Sequence, residues 1–107
     1  MIRYEALSNT VGLVRFYPEE TDDPFAPYCA VCTIIFTVPN RAAIEIKGMC
    51  GVITLSNLVS MFQWLNSIGV MRATAERIGG KRLPLFKHDG DRQVTLASDW
   101  VARFGVN

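Results

Sequence analysis

Thr54–Gly69 reads TLSNLVSMFQWLNSIG and is the strongest helix candidate of the chain, around which the other segments can be placed. Thr54 can accept a hydrogen bond from a backbone N–H of the first turn, as N-cap residues do. Gly69 stands where a helix commonly ends on a glycine in the left-handed conformation. This stretch therefore predicts a helix from Thr54 to Ile68.

The apolar residues of this helix recur at spacings of three and four, which places them along one face. We expect that face to pack on a sheet through Leu55, Leu58, Val59, Phe62 and Leu65. Three further apolar side chains widen the apolar arc beyond what one sheet face covers: Met61, Trp64 and Ile68. The surplus predicts a second contact on the flank of the helix.

The polar side of the helix is uncharged, and no charged residue occurs between Gly48 and Met71. Neutral polar groups are covered by a partner at a lower desolvation cost than charged groups. Aromatic residues and Met are also enriched at interfaces. We therefore predict a partner-binding face made of Ser60, Met61, Gln63, Trp64 and Ser67. The alternative is that the C-terminal turn Trp100–Phe104 folds over Trp64 within the same chain.

Alternating or continuous apolar runs on both sides of the helix predict strands. These runs cover residues 10–17, 29–38, 42–47, 70–78, 81–88 and 91–97. Gly79-Gly80 and Asp89-Gly90 fit two-residue hairpin turns, and Ser98 can cap a final helical turn. The order predicts an α+β fold, with one mostly antiparallel sheet packed on a single main helix and a C-terminal three-stranded meander.

The chain has 107 residues, half of them apolar, and a formal net charge of +1. This length predicts a single domain over residues 1–107. The small net charge excludes a strong overall field toward nucleic acid or a membrane surface. Polar residues and glycines interrupt the uncharged stretch, which excludes a transmembrane span. An odd cysteine count without a signal peptide favours a reducing compartment, so we expect a cytoplasmic protein.

Cys29 and Cys32 have the CxxC spacing found in redox and metal sites. They open the run CAVCTIIFTV, which reads as a strand, and residues three apart on a strand point to opposite faces. A metal site would need two further ligands, and the single histidine of the chain is His88. We therefore expect Cys29, Cys32 and Cys50 to be reduced thiols without a metal.

Catalytic residue patterns are scarce, since no Ser-His-Asp, Cys-His or paired-carboxylate arrangement stands out. Glu45 and Glu76 lie on strands that could be neighbours, where either could act as a base. Charged residues also occupy the solvent side of ordinary sheets, which is the alternative for both.

Two charged segments are candidate contact surfaces. Arg77, Lys81 and Arg82 flank the Gly79-Gly80 turn and are either a solubilising hairpin tip or a contact for an anion or an acidic partner. No aromatic residue interleaves them, as a stacking platform for nucleic acid would require. The acidic run at residues 19–23 is either a solvated loop or an acidic contact patch.

The segments AAIEIKGMCG (residues 42–51), TLSNLVSMFQWLNSIG and VMRATAER (residues 70–77) follow one another along the chain. They predict a strand over residues 42–47, a tight connection at residues 48–51, the helix and a further strand. With the preceding strand, they resemble the central ββαβ part of GNAT-type N-acetyltransferases, over roughly residues 30–78. In that family a glycine turn cradles the pyrophosphate of acyl-CoA, and N–H groups at a helix N-terminus bind anions. The resemblance implies acetyl-CoA as a cofactor, bound at Gly48, Gly51 and the N–H groups near Val52 to Thr54. The family turn carries an arginine or glutamine, whereas here Lys47 is the nearby cation.

Taken together, these patterns favour a small non-catalytic protein that binds a protein partner or further copies of itself through the uncharged helix face near Trp64. Such small domains are typical of phage or prophage proteins that act as assembly components or inhibit host machinery, which would place the chain in the host cytoplasm or the virion. This interpretation needs no cofactor, metal or membrane. The alternative is a reduced GNAT-like acyltransferase that uses acetyl-CoA, and nucleic-acid binding through the Arg77–Arg82 hairpin is less favoured.

Overall fold

The structure, a computed structural model, describes residues 1–37, 41–76, 86–90 and 92–104. Within these residues the chain forms seven strands and two helices. Their bounds, in chain order, are β1 (Ile2–Ala6), β2 (Val11–Phe16), β3 (Ala30–Phe36), β4 (Ala43–Gly51), α1 (Leu55–Ser67), β5 (Arg72–Glu76), β6 (Lys87–Asp89), β7 (Arg92–Leu96) and α2 (Ala97–Phe104).

The strands of the described part form one sheet with the order β1-β2-β3-β4-β5-β7-β6. β4 and β5 are parallel, whereas the other neighbouring strands are antiparallel. The connection between β4 and β5 runs through α1, because a parallel pair needs a crossover that returns the chain to the same end of the sheet. The prediction of an α+β fold with a mostly antiparallel sheet and one main helix is confirmed.

The predicted C-terminal meander is not confirmed, because β7 lies between β5 and β6. β6 and β7 do form a hairpin around Gly90, with Asp89 paired to Arg92. Five residues of β7 pair with β5, whereas β6 has only three residues. The longer strand therefore occupies the inner position. The predicted Gly79-Gly80 turn lies outside the described residues.

The ends of α1 agree with the predicted helix to within one residue. Thr54 is the N-cap, and its Oγ1 accepts a hydrogen bond from the backbone N–H of Asn57 at 3.1 Å. Gly69 follows the last turn with a φ of 88°, a left-handed conformation that glycine adopts without strain. Both capping predictions are confirmed.

The inner face of α1 is buried as predicted at Leu58, Phe62 and Leu65. The prediction is wrong for Leu55, whose side chain is 61% exposed. Leu55 is the first residue of α1, where the helix extends past the packed surface. A helical wheel treats every turn alike and does not show where the sheet stops.

The core lies between one face of the sheet and the two helices. In α2, the Trp100 ring stacks on Phe62, with the centroids 4.9 Å apart and the planes 10° apart. The indole N–H of Trp100 donates a hydrogen bond to Thr95 Oγ1 at 2.9 Å. Trp100 therefore packs on the middle of α1. The ring that covers Trp64 comes instead from Tyr4 of β1.

β1 is an edge strand that the sequence pattern does not predict. A buried asparagine of α1, Asn57, ties it to the rest of the fold. Asn57 Nδ2 donates to the carbonyl oxygen of Tyr17 at 3.0 Å, and its Oδ1 accepts from the Met1 nitrogen at 2.6 Å. Burying a polar side chain is tolerated here because its amide groups are paired.

Candidate functional site

The apolar residues of the predicted partner-binding face of α1, Met61 and Trp64, pack against other residues of the chain. Met61 is fully buried in the core, so the expectation that it offers surplus surface is wrong. Trp64 is half-buried, and its ring centroid lies 4.7 Å from that of Tyr4. β1 thus widens the sheet beneath α1 and accounts for Trp64 in the apolar arc of the helix, whereas Ile68 is 45% exposed, as expected of surplus apolar surface.

The polar residues of the same face remain at the surface. Gln63 and Ser67 are exposed, and Ser60 is half-buried. The Ser60 hydroxyl donates to the Ser56 carbonyl at 3.1 Å, and the Ser67 hydroxyl donates to the Trp64 carbonyl at 2.6 Å. Hydroxyls bonded to their own helix leave less hydrogen bonding for a partner. A role of this face in binding stays a prediction.

The glycines of the GNAT-like alternative lie in a strand, so the predicted tight connection at residues 48–51 is wrong. β4 continues to Gly51, and its register against β3 shifts near Gly48, which has a φ of 60°. A Cβ at Gly51 would collide with the carbonyl oxygen of Cys29, whereas a Cβ at Gly48 would meet nothing within 4 Å. Close strand packing therefore explains Gly51 without a ligand.

The described pairs between β4 and β5 run from Ala43 and Arg72 to Ile46 and Ala75. β4 continues to Gly51, and the residues that follow Glu76 lie outside the described part of the chain. The carboxyl end of β4 leads directly to the start of α1.

The predicted basic contact residues Arg77, Lys81 and Arg82 lie outside the described residues.

The face of the sheet opposite the helices carries half-buried side chains on β2 and β3. Burial alternates along β2 and β3, with every second residue buried and the residues between them half-buried. In the described ranges no helix or strand packs on the half-buried side. Five of its residues lie on two adjacent strands and are here named the β2–β3 patch: Val11, Leu13, Val31, Thr33 and Ile35. Val11 is opposite Ile35, and Leu13 is opposite Thr33.

An ion cluster borders this patch on β4. Glu45 is opposite Ile35, and its Oε1 lies 3.4 Å from Arg92 Nη2 and 3.5 Å from Lys47 Nζ. That oxygen is buried and has no hydrogen-bond partner among the described residues. Two cations share the carboxylate, so its charge is neutralised within the chain, and we interpret Glu45 as an ion-pair residue and not as a catalytic base.

A groove of about 920 Å³ lies at the other border of the patch, between β1, β2 and the loop that joins β2 to β3. Its walls include two cation–aromatic pairs. The Arg3 guanidinium lies 4.7 Å from the Tyr17 ring centroid, and the Arg15 guanidinium lies 5.8 Å from that of Tyr28. Arg15 also donates to Glu5 Oε1 at 2.8 Å, a hydrogen bond that raises the pKa of Arg15. Sites of this volume accommodate a small molecule or part of a peptide.

The cysteines are all free thiols in the structure. Cys32 points into the core, where burial raises the pKa of its thiol to about 12, so it carries a proton at neutral pH. Cys29 Sγ donates to the Phe16 carbonyl at 3.3 Å, and Cys50 is exposed. Within the described residues no group of three or more His, Cys, Asp or Glu side chains is placed to hold a metal ion.

Comparisons with protein-family models, with curated proteins and with solved structures give no match for this chain. Neither described helix has the length and apolar character needed to cross a bilayer.

The groove and the β2–β3 patch are surfaces that the sequence patterns do not identify. Arg15 and Tyr17 are close in the sequence, but Arg3 and Tyr28 each lie more than ten residues from them, so no local spacing links the four. The sequence leaves two interpretations of the acidic run at residues 19–23, a solvated loop or a contact patch. In the structure Asp22 lines the groove. The apolar residues of β2 and β3 predict two strands, but they do not predict which face of the sheet has no helix or strand packed on it in the described part of the chain.

Proposed function

We propose that the chain is a non-catalytic protein-binding subunit that associates with a second copy of itself through the β2–β3 patch. The observation that carries this proposal is that a sheet face with branched apolar residues on adjacent strands has no cover among the described residues. Contiguous apolar surface of this kind is typical of protein interfaces. A subunit of a phage or prophage assembly is the setting that we infer for it.

The charges around the patch support self-association. Arg15 is paired with Glu5, and Glu45 is shared by Lys47 and Arg92. Two copies can therefore approach face to face with much of the bordering charge already compensated within each chain. A two-fold interface also needs a surface that is complementary to itself, and branched aliphatic side chains satisfy this requirement through packing alone.

Ile35→Lys tests this proposal because Ile35 lies within the patch. We expect the variant to raise the dissociation constant of self-association about tenfold or more, because a charge must then be desolvated in the interface. A tenfold change corresponds to ~1.4 kcal/mol. Sedimentation over a range of concentrations measures the dissociation constant, and thermal melting checks that the variant folds.

Gln63→Lys is the matched control, because it adds the same charge on the exposed face of α1. It is expected to leave association unchanged. The opposite ranking of the two variants would return the interface to the helix face near Trp64. A wild-type chain that stays monomeric at every concentration would refute self-association through either surface.

A GNAT-like acyl-CoA-binding protein is the second candidate function. The parallel β4–α1–β5 unit favours it, because the carboxyl end of a parallel strand beside a helix N-terminus is a common place for a phosphate-bearing ligand. Lys47 is a charged residue of β4 just after its described pairs with β5. The close packing of Gly51 against Cys29 weighs against a glycine cradle, and for this reason we rank the enzyme second.

Calorimetric titration with acetyl-CoA separates the two candidates. We expect no saturation at micromolar concentrations, because one nearby cation offers little compensation for the charge of the cofactor. Micromolar binding that Lys47→Glu abolishes would reverse our ranking. Lys87→Glu is the control, since Lys87 is exposed on β6, at the edge of the sheet and away from β4.

A further inference from the structure

The loop that joins β2 to β3 is held in place by hydrogen bonds to main-chain atoms. Arg3 Nη1 donates to the Asp23 carbonyl at 2.9 Å, and Nη2 donates to the Thr21 carbonyl at 2.7 Å. Asp23 Oδ1 accepts from the Phe25 backbone N–H at 2.9 Å. This set of bonds fixes the turn that carries Phe25 at the rim of the groove.

The side chains of the groove form an alternating series of cations and aromatic rings. Arg3 lies over Tyr17, the Tyr17 and Tyr28 rings meet edge to face at 6.5 Å, and Arg15 lies over Tyr28. Phe25 also lines the groove, but it is 91% exposed and its ring makes no aromatic or cation contact with any described residue. Among the described residues, Phe25 is thus an exposed ring of the groove to which no cation is paired.

The charges in and beside the groove favour a cation over an anion as the ligand. Both guanidiniums already have partners, since Arg3 binds loop carbonyls and Arg15 binds Glu5. The exposed charges that remain on the loop are carboxylates, namely Glu19, Glu20, Asp22 and Asp23. A cation on an aromatic ring gains further from a nearby carboxylate.

We propose that this groove binds an arginine-bearing segment of a protein partner, with the guanidinium on the Phe25 ring and beside Asp22. Arginine suits the site because its planar guanidinium stacks on aromatic faces while its N–H groups donate to carboxylates. The partner is thus a basic protein surface and not a nucleic acid, which the loop carboxylates repel. This proposal does not depend on self-association through the β2–β3 patch.

Titration with acetylated tetra-arginine amide tests the proposal on the full chain. We expect saturable binding at low salt, weakened about threefold or more by Phe25→Leu, because leucine keeps an apolar side chain but lacks the ring that attracts the cation. Asp22→Asn is expected to weaken binding by a similar factor. Asp99→Asn changes the net charge equally but lies on α2, on the other side of the sheet, and is expected to leave binding unchanged.

Three outcomes would overturn the proposal. In the first, tetra-arginine binding does not saturate, and in the second, tetra-glutamate binds more tightly than tetra-arginine. In the third, Phe25→Leu binds the peptide as tightly as the wild type does, while Asp22→Asn binds it more weakly. The last result would mean that the acidic loop attracts cations without a site. Phe25 and Asp22 are exposed, so their variants should melt like the wild type. Ile35→Lys should retain peptide binding, which separates a failure here from a failure of self-association.

Discussion

Phe62→Ala should lower the free energy of unfolding by about 3–5 kcal/mol, the usual cost of removing a buried phenylalanine. The side chain is fully buried and stacks on Trp100, and its ring centroid lies 6.0 Å from that of Phe86. Its removal leaves a cavity where the two helices meet the sheet. Chemical denaturation at equilibrium measures the loss.

Leu55→Ala is the control within the same helix. Leu55 was predicted for the same apolar stripe, but its side chain is mostly exposed. We expect its replacement to change stability by less than about 0.5 kcal/mol. Equal costs for the two variants, or a cost below about 1 kcal/mol for Phe62→Ala, would contradict the packing described here.

Gly51→Ala is expected to cost at least about 3 kcal/mol, because two unfavourable effects act at one residue. The backbone has a φ of 100°, which side-chain-bearing residues rarely adopt, and the added Cβ would collide with the Cys29 carbonyl. The strand must move to relieve this contact. Denaturation of the reduced protein measures the change in stability.

Gly48→Ala separates the two effects, since Gly48 has a φ of 60° but open space around the position of a Cβ. Only the cost of the left-handed conformation applies there, about 1–2 kcal/mol. If Gly51→Ala costs no more than Gly48→Ala, the close contact with Cys29 does not constrain the strand. Gly51 would then again be available as part of a ligand cradle.

The main helix could be predicted because its signals are local. Thr54 and Gly69 act within one turn of the helix ends, and the spacing of Leu58, Phe62 and Leu65 is set by helix geometry. The same reasoning failed at Leu55 and Met61, whose burial depends on how far the sheet extends. That extent is a tertiary property, and β1 changes it by adding a strand beneath Trp64.

The order of the last strands could not be predicted, because periodicity specifies a strand but not its neighbours. β7 occupies an inner position although its buried side chains include Gln93 and Thr95, which a hydrophobic pattern assigns to solvent. Thr95 is tolerated in the core because its hydroxyl accepts the indole N–H of Trp100. This pairing links two segments that sequence patterns treat as separate elements.

The candidate sites were the least predictable part of the molecule. The groove combines residues from β1, β2 and the following loop, so it exists only after the sheet has formed. Gly48 and Gly51 look like a turn because two closely spaced glycines usually mark one. In the fold they instead accommodate an irregular register and a close contact between β3 and β4.

The inner position of β7 has a consequence for the order in which the sheet is completed. Strands β1 to β5 can pair in chain order, with α1 between β4 and β5. Among the described strands, β7 pairs with both β5 and β6, although β6 precedes it in the chain. Unpaired strand edges are where partly folded chains join one another. The docking of residues 92–96 therefore covers the edge of β5 and brings β6 into the sheet in the same step.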